Sequence, residues 1–214
     1  MAITKDYLNT SDWSVLAAWM QTNLVPNFFA EAVIENSTLN CKDADGNILM
    51  SKGSGTGVIT AYKSTTDSAS MSPGSSTAGQ ALGKLTYACK CTNGALLVFE
   101  QGAYIAHVII TKTNNNKTAI IFCQPNNATT TLTSLLNCVT WGDAMPNISY
   151  SFSAIPTNQT QLVSFCTDAS YGSISFTPFA FYMPVGQYYN MGIGSITMNG
   201  HVYLTNGYWA ILDS

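Results

Sequence analysis

Along most of this chain, apolar and polar residues alternate in short runs, and Asn, Gly and Asp break the runs at close intervals. The densest stretch is Leu85 to Cys123, LTYACKCTNGALLVFEQGAYIAHVIITKTNNNKTAIIFC, which predicts four strands. Its breaks are Asn93-Gly94, Gln101-Gly102 and Asn114-Asn115-Asn116. Asn-Gly supplies the two positive-φ residues of a type I′ hairpin turn. A two-residue turn there sets Cys91 opposite Leu96 and Cys89 opposite Val98. Leu85, Tyr87, Cys89 and Cys91 share one face of the first strand, and Ile105, His107, Ile109 and Thr111 share one face of the third. Tyr104, Ala106, Val108 and Ile110 share the other face of that third strand, so both of its faces are apolar and should be covered. A His in such a strand is expected as a hydrogen-bonded core residue.

The closing segment, SITMNGHVYLTNGYWAILDS, predicts a second meander with turns at Asn199-Gly200 and Asn206-Gly207. Pairing through those turns puts Val202, Leu204, Trp209 and Ile211 on one face. Ile196, Met198, Tyr203 and Leu212 fall on the other, with His201. Between the meanders, strands are expected at 148–155, 161–166 and 173–182, and a strand or short helix at 132–141. Phe28 to Leu39 reads as one extended segment. Ser51 to Gly83 is rich in Gly, Ser and Thr, with a short strand at 58–62 and a long mobile loop at 63–83.

Only residues 10–24 carry a helical pattern. Thr10 or Ser11 can cap it, Asp12 favours the positive end of its dipole, and Pro26 follows its exit. Trp13, Leu16, Ala17, Met20 and Leu24 form one stripe, and Val15 and Trp19 fall nearly opposite. Two apolar sides must both be buried. The helix is either wedged into its own domain or an arm on a neighbouring subunit, with Trp13, Val15 and Trp19 as interface candidates beside Met198 and Tyr203. The resulting division is an N-terminal helical arm, 1–26, and a β-domain, 27–214. The fold class is mainly β: an antiparallel β-sandwich or jelly-roll-like domain with a short N-terminal α-helix.

Composition sharpens the picture at one point. Charged residues make up 9% of the 214, against about 25% in ordinary domains. All eight basic residues are Lys, and after Lys117 the only charges are Asp143, Asp168 and Asp213. Nucleic-acid binding needs phosphate-neutralising cations, so a chain of net charge −3 without Arg is not expected to bind nucleic acid. No apolar run approaches the roughly 18 residues of a membrane span, and the start MAITKDYLNTSDW has no apolar core of a secretory signal. The six Cys are therefore expected as free thiols.

Candidate chemistry is sparse. Cys89-x-Cys91 is half of a metal site at best, with His107 and His201 the only imidazoles, so no metal or cofactor is expected. Asp43-Ala-Asp-Gly-Asn47 begins like a calcium loop, but its Gly comes at the fourth position rather than the sixth, and a turn between strands is expected. Gly53-Ser-Gly-Thr-Gly57 lacks the Lys-Ser/Thr of a phosphate loop. A glycan-cleaving site would need two of Glu100, Asp143, Asp168 and Asp213 across a cleft, and no nucleophile or metalloprotease signature is present. Tyr188, Tyr189, Tyr208 and Trp209 cluster among Asn and Gln, which makes them candidates for stacking on a sugar and equally for core or interface anchors.

Three segments carry a resemblance. They are I-T-M-N-G-H-V-Y-L-T-N-G-Y-W-A-I-L-D at 196–213, H-V-I-I-T-K-T-N-N-N-K-T-A-I-I-F at 107–122 and D-A-D-G-N at 43–47. In them the Asn/Thr-rich, charge-poor β-sequence resembles virion structural proteins of tailed phages and prophages, of the tail, fibre or capsid-decoration kind. The resemblance implies a non-enzymatic protein made in the bacterial cytoplasm and working in the virion. It implies a homo-oligomer attached to other virion proteins. A glycan-binding module that reads a host surface is the alternative, and a glycan-cleaving enzyme the third reading.

Overall fold

A computed structural model describes residues 3–53, 59–62, 68–71, 84–101, 104–123, 132–140, 147–152, 163–166, 176–182, 193–205 and 209–214. Its elements run β1 (Thr4–Thr10), α1 (Trp13–Asn23), β2 (Glu31–Glu35), β3 (Thr38–Lys42), β4 (Ile48–Lys52), β5 (Ile59–Tyr62) and β6 (Ser68–Met71). Then come β7 (Lys84–Cys91), β8 (Gly94–Gln101), β9 (Tyr104–Lys112), β10 (Thr118–Cys123), β11 (Leu132–Thr140) and β12 (Asn147–Phe152). The chain closes with β13 (Val163–Cys166), β14 (Phe176–Tyr182), β15 (Gly194–Met198), β16 (His201–Thr205) and β17 (Trp209–Leu212). The expected mainly-β, antiparallel class with one short helix is what folds.

The four-strand meander read from the sequence is the middle of a seven-stranded sheet, ordered β1-β7-β8-β9-β10-β11-β12. Its two apolar faces are covered separately. Leu85, Ala88, Leu97, Phe99, Val108, Ile110 and Ile120 pack on one side with Leu16 and Met20 of α1 and with Leu39, Cys41, Met50 and Ile59 of the sheet β2-β3-β4-β5-β6. Cys89, Cys91, Leu96, Val98, Ile109 and Ile121 pack on the other with Leu204, Trp209 and Ile211 of the sheet β13-β14-β17-β16-β15. The alternation of adjacent residues between the two clusters is the period-two geometry of a strand buried on both sides.

The expected arm is part of the domain. β1 pairs antiparallel with β7, from Thr4 opposite Lys90 to Thr10 opposite Leu85. The helix begins at Asp12, not at Thr10 or Ser11. The Asp12 carboxylate accepts from Ser14 N at 2.9 Å, and Thr10 Oγ1 accepts from Asp12 N at 2.9 Å. That bond holds the Asp12 carboxyl below its usual range. The main stripe of α1 and Trp19 are satisfied within the chain, while Val15 stays exposed. The stripe enters the core, and Trp19, on the opposite side, is buried and donates its indole N–H to Asp6 Oδ2 of β1 at 2.7 Å. An edge strand that brings its own hydrogen-bond acceptor removes the need for a partner subunit at Trp19.

Turn chemistry departs from expectation at two places. The β7–β8 register is Cys91 opposite Gly94 and Cys89 opposite Leu96, two residues from the predicted pairing. The turn is Thr92-Asn93, and Gly94 is the first residue of β8. Three contacts select it. Thr92 N and Oγ1 donate to Asp213 Oδ1 at 2.7 and 2.8 Å, and Asn93 Nδ2 donates to Leu212 O at 3.0 Å. Because the offset is an even number, Tyr87, Cys89 and Cys91 keep their predicted face, but a register shift between Leu85 and Tyr87 turns Leu85 to the other side, with Ala88 and Leu97, against the predicted face. Gly94 matters for closeness: a Cβ there would lie 2.6 Å from Ile110 O and 3.0 Å from Ile211 Cγ2. The second departure is at Phe28 to Leu39, where β2 and β3 form a hairpin through Asn36 and Ser37, at φ 48° and 62°. A Ser with positive φ gives no recognisable turn signature.

The turn at Asn199-Gly200 follows expectation. Asn199 and Gly200 have φ 52° and 82° between Met198 and His201, a paired couple. Residues 132–140 are strand rather than helix. The expected loop 63–83 contains β6, and its remainder, like Asn206-Gly207, lies outside the described residues.

Substituting Gly94→Ala should lower unfolding free energy by about 1–3 kcal/mol, the cost of overpacking between two sheets. Urea unfolding of the two proteins measures this, and equal midpoints would show that β8 and β17 separate more easily than the 3.0 Å spacing implies.

Candidate functional site

The ionisable and aromatic side chains of the described residues fall into two groups, one that holds the sheets together and one that lines an open groove. The first group contains several residues singled out by sequence. His107, on β9, is 4% exposed, and its Nδ1 accepts from the Trp209 indole N–H at 2.9 Å. Burial pushes the imidazole down to about 3. An imidazole that accepts at Nδ1 is neutral with its proton on Nε2, so the pair is a neutral hydrogen bond between the central and C-terminal sheets. The expectation of a core histidine therefore holds. Trp209 is 1% exposed and sealed in the inter-sheet core. It presents no face on which a sugar could stack, which corrects its candidacy as a glycan residue. Its expected companions Tyr188, Tyr189 and Tyr208 lie outside the described residues.

Cys41, Cys89 and Cys91 are buried free thiols, as expected. Burial raises all three, Cys89 and Cys91 to about 12, so none carries thiolate near neutral pH. Asp213, one of the carboxylates weighed for glycan cleavage, is buried and holds the β7–β8 turn. Asp43 holds the β3–β4 turn: Oδ1 accepts from Asp45 N at 3.0 Å and Asn47 N at 2.8 Å, and Oδ2 accepts from Asn47 Nδ2 at 3.0 Å. These bonds make an Asx turn between two strands, as expected. Among the described residues, no three His, Cys, Asp or Glu side chains converge as metal ligands. No helix there is long and apolar enough to cross a membrane, which says nothing of membrane β-barrels.

The five interface candidates separate in space. Trp13 packs its ring on Phe99, centroids 6.1 Å apart, and carries Lys52 Nζ 4.5 Å above its ring. Lys52 is 2% exposed, donates to Gly53 O, and is shifted down by burial. Trp19 is thus internal, a correction to its place in an interface, whereas Trp13 is partly buried and Val15 is 37% exposed. Met198 and Tyr203 do come together. They lie with Ile196, Phe181, Ala210 and Leu212 on the face of the C-terminal sheet turned away from the core.

The groove of the second group has a volume of about 360 Å³. Three pieces build it: the connector Pro26–Ala30 after α1, the β3–β4 turn, and the β9–β10 turn. The connector is pinned to both sheets. Thr118 Oγ1 of β10 donates to Phe28 O at 2.6 Å, and Ala30 N donates to Lys42 O of β3 at 2.7 Å. Phe28, Phe29 and Leu49 are its buried apolar lining, Asp43 and Asp45 stand on one turn, and Lys112 and Lys117 on the other. Lys112 is half-buried. Its Nζ donates to Thr118 Oγ1 at 3.1 Å and sits 5.6 Å from the Phe28 ring centroid, and burial lowers its pKa. Sequence reading named none of these as a site. The only trace was the place of Lys112 and Lys117 as the last cations of the chain, flanking an Asn-rich turn.

The burial of His107 makes stability depend on pH. The folded pKa, about 3, lies below the usual value near 6.5, so the unfolded state binds the extra proton between those values. Stability is full above pH 6.5 and falls as the pH drops toward 3. At pH 5 the loss attributable to His107 should be roughly 2 kcal/mol relative to pH 7.5. Urea unfolding at the two pH values measures it, and His107→Gln, which keeps an acceptor but cannot titrate, should remove this part of the slope. No family model matches the chain, and neither a curated protein nor a solved structure is significantly similar to it.

Proposed function

We propose that the protein is a non-enzymatic structural component of a phage virion, of tail, fibre or capsid-decoration type, that self-associates and attaches to the particle. The observation that carries this reading is the outer face of the C-terminal sheet. An outer sheet in a layered β-fold ordinarily turns polar residues to water. Here that face holds a separate apolar cluster, with Tyr203 and Ala210 buried and Phe181, Ile196, Met198 and Leu212 partly exposed. A second copy of the chain meeting this face would bury the partly exposed Phe181, Ile196, Met198 and Leu212 in an isologous contact. The charge-poor composition and the virion-like segments at 43–47, 107–122 and 196–213 agree with it. So does the structural use of Asp6, Asp12, Asp43 and Asp213, each holding a backbone or indole N–H.

Light scattering of the full chain across a range of concentrations tests this reading. A defined oligomer is expected, and Met198→Asp should weaken it about tenfold or more, the cost of burying an unpaired charge. The variant should keep its unfolding midpoint, because Met198 is only partly buried. A monodisperse monomer at every concentration would refute self-association.

A further inference from the structure

We propose that the groove between the β3–β4 and β9–β10 turns binds a small polyhydroxy monocarboxylate, the chemical class of the sugar acids. This inference stands apart from self-association, because the groove is built from other elements than the outer face of the C-terminal sheet. Its volume, about 360 Å³, is at the small end of ligand pockets, roughly 300–1,000 Å³.

The chemistry of the lining selects the ligand. Among the described residues, the ion pairs within 4 Å all belong to Lys42. Lys112 therefore holds its charge half-buried against a hydroxyl and a ring, with no described carboxylate to balance it. A ligand carboxylate would supply that balance and add charge-assisted hydrogen bonds. Lys117, exposed beyond the same turn, adds a second cation at that end.

The other turn imposes the opposite demand. Asp45 is exposed there, and Asp43 already spends its oxygens on the turn. Acceptors at this end favour hydroxyl donors and disfavour a second negative charge. One carboxylate at the lysine end and hydroxyls at the aspartate end satisfy both. A phosphate dianion, or a neutral sugar, satisfies only one.

The test is calorimetric titration of the full chain with D-glucuronate, with D-glucose and inorganic phosphate as comparisons, and amide NMR to locate the change. Glucuronate should bind saturably and more weakly at high salt, with glucose and phosphate each at least about tenfold weaker. Shifted amides should fall in 26–30, 43–47 and 112–118. Lys112→Met, which keeps the apolar stem, should abolish binding, and the exposed Lys117→Met, which leaves the core untouched, should weaken it. No saturable binding of glucuronate would overturn the proposal. So would equal binding of glucose or of phosphate, shifts elsewhere, or full binding by both lysine variants.

Discussion

Both faces of the central sheet are apolar, and the rest of the chain is arranged to cover them. Strands β7 to β10 send alternate residues to opposite sides, so that Leu96 and Leu97, neighbours in sequence, belong to separate cores. A strand buried on both faces has no solvent side, and a sheet of such strands is stable only as a middle layer. The N-terminal third supplies one cover, a helix and a five-stranded sheet. The C-terminal third supplies the other. The chain is thus folded outward from its middle.

Polar contacts between the layers are few and specific. The His107–Trp209 bond and the grip of Asp213 on Thr92 both join the central sheet to the last strand of the chain. Each is a buried polar group satisfied by a partner more than a hundred residues away. Apolar packing alone would let the layers slide, whereas a hydrogen bond that is expensive to leave unmade fixes their register. The same contacts moved the β7–β8 turn. Local preference favours Asn93-Gly94 as the turn, but the carboxylate of Asp213 takes Thr92, and Gly94 is drawn into the strand, where only a residue without Cβ fits against Ile110. A tertiary contact overrode turn propensity, and it did so by an even shift that left the cores unchanged.

A three-layer body with its N-terminal segment folded inside locates the surfaces left for function. Most of the helix's apolar surface is used within the chain: Trp13 lies on Phe99 under Lys52, and Trp19 is bonded to Asp6. Among the described residues, the far face of the C-terminal sheet keeps Ile196 and Met198 partly exposed, and a groove opens where turns of two sheets meet. One is apolar, suited to a copy of the chain. The other is small, with cations and carboxylates on separate turns, suited to a compact ligand.

The sequence by itself determined the strands and their faces. Period-two alternation is a local property, and it placed Cys89 and Cys91 together, and Ile196, Met198 and Tyr203 opposite Leu204, Trp209 and Ile211; it failed at Leu85, where a register shift breaks the alternation. It also marked His107 as a core residue and 43–47 as a turn, because an apolar strand and an Asx-rich tetrad carry their own explanation. Tertiary structure decided the rest. Whether α1 packs in its own chain depended on β1 arriving with Asp6, and no pattern within residues 10–24 encodes a neighbour. Trp209 looked the same as a binding residue or a core residue until its indole met His107 from across the inter-sheet space. The groove joins Lys112 to Asp45 through the packing of two sheets on one connector. Proximity of that kind arises from long-range contacts, which leave no periodicity in the residues they bring together.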